Sequence, residues 1–331
     1  MSREIIELNS SFVSCGNAVG KKESEGPLGE LFDICDKDDR FGKSTWEKAE
    51  SEMQRLAFNA ALKKASLGFE DIGALFAGDL LNQCVGSSYG LLGCNIPYFG
   101  IYGACSTSGE GIMLASILTT HRIYERCAAV TSSHNCAAER QYRMPIEYGG
   151  QRAPTSQWTV TGSGAFIIGG ADEGKVKIRA GVPGRVIDKG INDANNMGAA
   201  MAVPVADTLC RYFASSESRP SDYDLIITGD LGYEGADILK EIMHTEGYDM
   251  KENYTDCGIL IFDKNSQDTH SGGSGCGCSA SVLSAYVIPE IEKGIFKKVL
   301  FIASGAMMSP DSIKQGESIP AIGHLLLLEH E

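Results

Sequence analysis

From Trp46 to Leu67 the chain reads WEKAESEMQRLAFNAALKKASL. Apolar residues return at helical spacing and charges fill the other side, which predicts an amphipathic helix. The next run, DIGALFAGDLL from Asp71 to Leu81, is short, apolar and built of small residues, so it predicts a buried strand ending at Gly78. The same succession returns later, as a helical pattern over ADTLCRYFASSES (Ala206 to Ser218) and a strand pattern over DYDLIITGDLG (Asp222 to Gly232). The two strands align at an offset of 151, which sets Gly78 on Gly229 and Asp79 on Asp230.

A second correspondence follows each strand. HRIYERCAAVTSSH (His121 to His134) aligns with KGIFKKVLFIASGA (Lys293 to Ala306) at an offset of 172, matching Ser132 with Ser304. TGSGAFIIGG (Thr161 to Gly170) pairs more weakly with AIGHLLLLE (Ala321 to Glu329). The order helix, strand, loop, helix, strand, loop, strand is therefore given twice. A duplicated α/β unit predicts halves spanning 1–170 and 171–331, two sheets packing helices between them, and a site near the pseudo-twofold axis. Continuous apolar runs such as LIIT and KVLFIAS predict parallel strands buried on both faces.

Composition narrows the functional classes. The chain has 331 residues, 43% hydrophobic and 22% charged, with a formal charge of −14 spread along its length. That balance argues against unassisted binding to nucleic acid or an anionic membrane surface. Met1 to Ser14 lacks the pattern of a signal peptide, and no apolar run reaches the roughly 18 residues of a spanning helix, so the expected place of synthesis is the cytosolic side. Eleven cysteines show only one close pair, Cys276 and Cys278, in a spacing that fits neither zinc nor redox chemistry. They read as small buried hydrophobes, and no metal or cofactor is predicted.

One cysteine stands apart. YGACSTSGEG (Tyr102 to Gly111) places Cys105 among small residues at the mouth of a helix, where dipole and free amides would lower a thiol pKa. Thr107 and Glu110 have the spacing of a capping box. His134, ending a first-half strand pattern, and His324, in AIGHLLLLE, are possible partners for the thiol, against the plainer reading of hydrogen-bonded structural histidines. His121, His244, His270 and His330 read as exposed.

A duplicated α/β unit with a lone cysteine opening the first half's central helix resembles the thiolase and ketoacyl synthase superfamily, with its five-layer fold. Within it, the runs SCGNAVGKKESEGPLGELFD, YGACSTS, TSSHNCAAERQYRMPIEYGGQ, GRVIDKGI and GGSGCGCSA are similar to the stage V sporulation AD family of spore-forming bacteria. That resemblance implies a protein that binds dipicolinic acid, or its calcium chelate, and helps load it into the developing spore. It further implies a homodimer associated with the spore inner membrane through other stage V sporulation A membrane proteins. In condensing enzymes of this superfamily a histidine and an asparagine serve the cysteine; the resemblance puts Gly229, with Asp230 next, in the first slot and Gly273 or Cys276 in the second. The expected reading is a non-catalytic binding protein, with an active acyltransferase using Cys105 as the alternative.

For the ligand, Asp79 and Asp230 end equivalent strands, where open α/β sheets bind ligands, although both could simply cap the turns that follow. Asn82, Arg140, Arg143 and Arg185 are further candidates, the arginines as clamps for carboxylates. Cys105 and Cys276 would line the slot, with His134 and His324 nearby.

Overall fold

The computed structural model describes residues 4–142 and 151–331. Its strands are β1 (Ile6–Val19), β2 (Ala74–Gly78), β3 (Tyr98–Gly100), β4 (Cys127–Ser133), β5 (Trp158–Thr159), β6 (Gly162–Gly170), β7 (Val176–Val182), β8 (Leu225–Thr228), β9 (Tyr254–Asp256), β10 (Gly273–Ser274), β11 (Lys298–Ala306) and β12 (Ala321–His330). The helices are α1 (Lys21–Ser24), α2 (Trp46–Ala65), α3 (Val85–Gly90), α4 (Thr107–Thr120), α5 (Asn135–Tyr142), α6 (Met197–Ser216), α7 (Gly232–Thr245), α8 (Cys257–Leu260), α9 (Cys276–Val282), α10 (Ile288–Glu292) and α11 (Pro310–Lys314).

The strand order is β3-β2-β4-β6-β1-β7-β12-β11-β8-β9. Read outward from its centre, one arm runs β1, β6, β4, β2, β3 and the other β7, β12, β11, β8, β9, so each strand of one arm has a counterpart in the other. The runs predicted as parallel are so: β2 pairs with β4, and β8 with β11, while β6 and β12 return antiparallel. The expectation of two separate sheets needs correction. β1 and β7 pair antiparallel, from Ile6 opposite Gly181 to Phe12 opposite Val176, and join the arms into one ten-stranded ladder. Backbone pairing of this kind leaves no trace in hydrophobic periodicity.

Helices fill the layers that periodicity foretells. α2 packs on β1, β4 and β6, and α6 on β12 and β11. α4 contacts β2, β4 and β6 of one arm and β11 and β12 of the other, so it lies between them. α9 lies beside it, the two linked by a 2.7 Å hydrogen bond between the Ser108 and Ser279 hydroxyls. The helix predicted from Ala206 starts at Met197, because Asn196 caps it through a bond from the Ala199 amide. Its early NMGAAMAVP residues are too small and mixed for a clear apolar face. The eleven cysteines are all free and seven are buried, as their scattered spacing suggests. Among the described residues no helix is long and apolar enough to cross a membrane.

Close approach of α2 to β1 depends on Gly16, where a Cβ would stand 2.5 Å from the Ala57 carbonyl oxygen. Backbone cannot yield as a side chain can, so Gly16→Ala should destabilise the fold by roughly 1–3 kcal/mol. Urea unfolding measures this; an unchanged midpoint and slope would show that the helix shifts freely.

Candidate functional site

The turn before α4 brings Cys105 to the junction of the two arms. Ala104 takes a left-handed conformation, φ 52°, and β11 runs so close that a Cβ on Gly305 would lie 2.4 Å from the Gly103 carbonyl oxygen. Only glycine fits there. Cys105 is buried beneath a small pocket whose wall includes Leu80, Tyr102, Ala138, Tyr142, Thr159 and Ser274. Met197 and Met308 close the side facing the second arm.

The helix mouth does not activate the thiol. The Ser106 and Thr107 amides are spent on the Gly103 and Ala104 carbonyls, at 3.1 and 3.3 Å. The Thr107 hydroxyl donates to the Ala104 carbonyl at 2.7 Å, so no capping box forms with Glu110. What faces Cys105 instead is Asp230, just beyond β8. Its carboxylate accepts from the Ser304 hydroxyl at 2.8 Å, the Gly275 amide at 2.8 Å and the Ser274 hydroxyl at 3.1 Å. Its backbone is held too, because the Gln157 side-chain amide donates 2.7 Å to the Asp230 carbonyl. The Cys105 sulfur lies 3.9 Å from the Ser274 hydroxyl, which bridges it to this carboxylate. Burial pushes the thiol well above its ordinary pKa, and the charge of Asp230 pushes it the same way. The expected lowering is therefore reversed, and the thiol stays protonated at neutral pH. Burial also raises the Asp230 carboxyl, opposed by the donors from Gly275, Ser304 and Ser274.

The pocket is narrow. Its volume is about 40 Å³, room for two or three waters at about 15 Å³ each. Tyr102 and Tyr142 meet hydroxyl to hydroxyl at 2.9 Å, and the Tyr142 hydroxyl donates to the Leu80 carbonyl at 2.8 Å. That pair stands between the pocket and an outer cleft of about 340 Å³ floored by Leu81, Asn82 and Met308. The pocket wall carries one carboxylate, Glu139, which accepts from the Thr159 hydroxyl at 3.1 Å, and no lysine or arginine among the described residues.

Comparison with known proteins fits this architecture. A family model described as Stage V sporulation protein AD matches residues 3–329. The chain belongs to the Stage V sporulation protein AD family. It is 43% identical over 316 residues to the Bacillus subtilis (strain 168) Stage V sporulation protein AD, covering 96% of this chain and 93% of that one. Among solved structures it resembles Xanthomonas campestris OleA with bound lauric acid and lauroyl-CoA, at 13% identity, TM-score 0.63 and coverage of 97% and 100%. It also resembles the 3-oxoacyl-(acyl carrier protein) synthase III of Xanthomonas oryzae, at 14% identity, TM-score 0.62 and coverage of 97% and 99%. These likenesses give the thiolase-like fold.

In this chain the remaining sequence candidates scatter. Cys276 is buried beside Cys105 and Leu80, its thiol donating 2.9 Å to the Ser132 carbonyl. Asp79 turns away from the pocket, accepting from the Leu81 amide at 2.8 Å and from the Ser87 amide and hydroxyl at 2.7 and 2.6 Å. It caps the turn leading into α3 and shares a buried polar nest with Glu50 and Gln54, so the capping reading holds. Neither histidine reaches the thiol. His134 bonds the Asp39 carbonyl at 2.8 Å and lies against Trp46, ring centres 5.4 Å apart. His324 accepts from the Gly184 amide at 3.1 Å, and burial lowers its pKa to about 4. Arg140 pairs with Glu47 on the surface, and Arg185 with Glu4 at 2.8 Å. Asn82 sits in the outer cleft, its amide donating 3.0 Å to Gln141, while Arg143 lies outside the described residues.

The residues that make the site and escaped sequence reasoning are Tyr102, Tyr142, Thr159, Ser274 and Ser304. Ser304 carried a signal, as the repeat partner of Ser132; Ser274 lay inside GGSGCGCSA. If Asp230 keeps the thiol protonated, Asp230→Asn should speed iodoacetamide alkylation of Cys105 at pH 7 by about tenfold or more, since one pKa unit is tenfold in thiolate. Peptide mass spectrometry reads this at Cys105 alone; an unchanged rate would assign the inertness to burial only.

Proposed function

We propose that this sporulation protein is a non-catalytic ligand-binding descendant of the condensing-enzyme fold, taking dipicolinic acid in the Cys105 pocket as one subunit of an assembly that loads the spore. Membrane proteins of the stage V sporulation A set are its proposed partners. The observation that carries the reading is the Asp230 carboxylate, wired by three donors against the cysteine that a condensing enzyme would need as a thiolate. A carboxylate in that position neither accepts the role of imidazole nor stabilises an oxyanion, each of which is worth orders of magnitude in rate. The fold keeps a pocket, and a pocket outlives its chemistry.

The wall suits a flat ring: Tyr102, Tyr142, Met197 and Met308 supply apolar surface, and Thr159 and Ser274 supply hydroxyls. The deeper Asp230 carboxylate repels a naked dianion and suits a metal carried with it, which favours the calcium chelate. Entry requires the Tyr102–Tyr142 pair to part and join pocket to outer cleft, since a ring needs far more than about 40 Å³.

Titration calorimetry tests the reading with dipicolinate, with and without calcium, against benzoate. Wild type should bind dipicolinate with calcium more tightly than benzoate, and Ala138→Phe, which fills the pocket, should weaken this by about tenfold or more. Equal affinity for dipicolinate and benzoate in both conditions would overturn it.

A further inference from the structure

Outside the Cys105 pocket, three of the five cation–ring contacts among the described residues fall close together. Trp158 carries two of them: the Lys22 ammonium lies 4.2 Å from the ring centroid and the Arg152 guanidinium carbon 5.0 Å. Lys264 stands 3.9 Å over the Tyr233 ring. Arg152, Lys264 and His270 line one groove of about 690 Å³, with Glu234 on its far wall. His270 was read from sequence as exposed; the structure half-buries it, its Nδ1–H donating 2.8 Å to the Ala153 carbonyl.

The loop that presents these groups is pinned. The Gln267 side-chain amide donates 2.7 Å to the Lys22 carbonyl, and Asp268 and His270 both hold left-handed backbone, φ 47° and 52°. Such conformations persist only where surroundings enforce them.

The cations are incompletely answered. Arg152 spends Nη2 on the Asp268 carbonyl and on its carboxylate at 3.0 Å, while Nη1 is buried with no hydrogen-bond partner among the described residues. Asp268 is itself 79% exposed, a weak and displaceable counter-ion, and it also faces His270 Nε2 at 3.1 Å. Burial and the charge of Arg152 both pull the Lys22 ammonium below its ordinary pKa, against Glu23, Asp268 and Glu25. Glu234 is occupied by the Ser271 hydroxyl. A ligand bringing two negative charges would answer Arg152 and Lys264 where they line the groove and relieve the Lys22–Arg152 repulsion, and a flat ring would lie beside the cation-covered Trp158 and Tyr233 rings.

We infer that this groove is a second ligand site, for a small aromatic dicarboxylate in its metal-free form, held by Arg152 and Lys264 beside the cation-covered Trp158. Alternation along β5 ties it to the first site: Thr159 lines the Cys105 pocket while its neighbour Trp158 faces the cations. Only the identity of the natural ligand rests on the proposed function; the site itself rests on the groove.

The chain has two tryptophans, so Trp46→Phe leaves Trp158 as sole fluorophore. Titrating this variant, and wild type by calorimetry in parallel, with phthalate and with calcium-free dipicolinate should give a saturable change for both. Benzoate should bind about tenfold more weakly or worse, and Arg152→Gln and the surface change Lys264→Gln should each weaken dicarboxylate binding by about tenfold. Ala138→Phe should leave it unchanged. No saturable change in either assay, or binding lost with Ala138→Phe yet kept by Arg152→Gln, overturns the groove. Dicarboxylate binding that needs Arg152, alongside no calcium-dependent binding sensitive to Ala138→Phe, upholds the groove while the pocket reading falls.

Discussion

A carboxylate buried against a thiol decides what this site is. Asp230 is fully enclosed, and a charge so placed is tolerable only when donors converge on it. Ser304 comes from β11, Ser274 from β10, Gly275 from the turn between β10 and α9, and Gln157 from the residue just before β5. Each of those elements must be in register for the carboxylate to be satisfied, and each borders the turn that carries Cys105. The same atoms that stabilise Asp230 therefore fix the pocket wall, and the same negative charge removes the thiolate.

The duplication explains why such a convergence exists at all. β1 and β7 lock the arms together antiparallel, so equivalent strands run in opposite directions, and the Cys105 turn of one half meets β11 and Ser274 of the other beside α4 and α9. The two repeats have then diverged at equivalent positions. Asp79 satisfies its carboxylate locally, within Ser87 and Leu81, and serves only a turn. Asp230 reaches 44 and 74 residues onward to Ser274 and Ser304, and it faces the site.

That contrast shows what is legible in a chain like this one. Helices, strands, their repeated order and the position of Cys105 follow from periodicity and from residue types that act locally. The one continuous sheet does not, because the β1–β7 ladder is made by backbone atoms that every residue carries. The role of Asp230 is half legible: its place at a strand end is, but its distant donors are not. His134 and His324 misled for the same reason, since each finds a backbone partner, Asp39 or Gly184, that no spacing announces. Arg140 and Arg185 suggested clamps and instead pair with Glu47 and Glu4 on the surface.

On the proposal above, Cys105 floors a binding site and performs no acyl chemistry. Intact-mass and peptide mass spectrometry after incubation with short- and long-chain acyl-coenzyme A thioesters at neutral pH test it most directly. The account predicts no acyl adduct at Cys105 over hours; a stoichiometric thioester at that residue would contradict it.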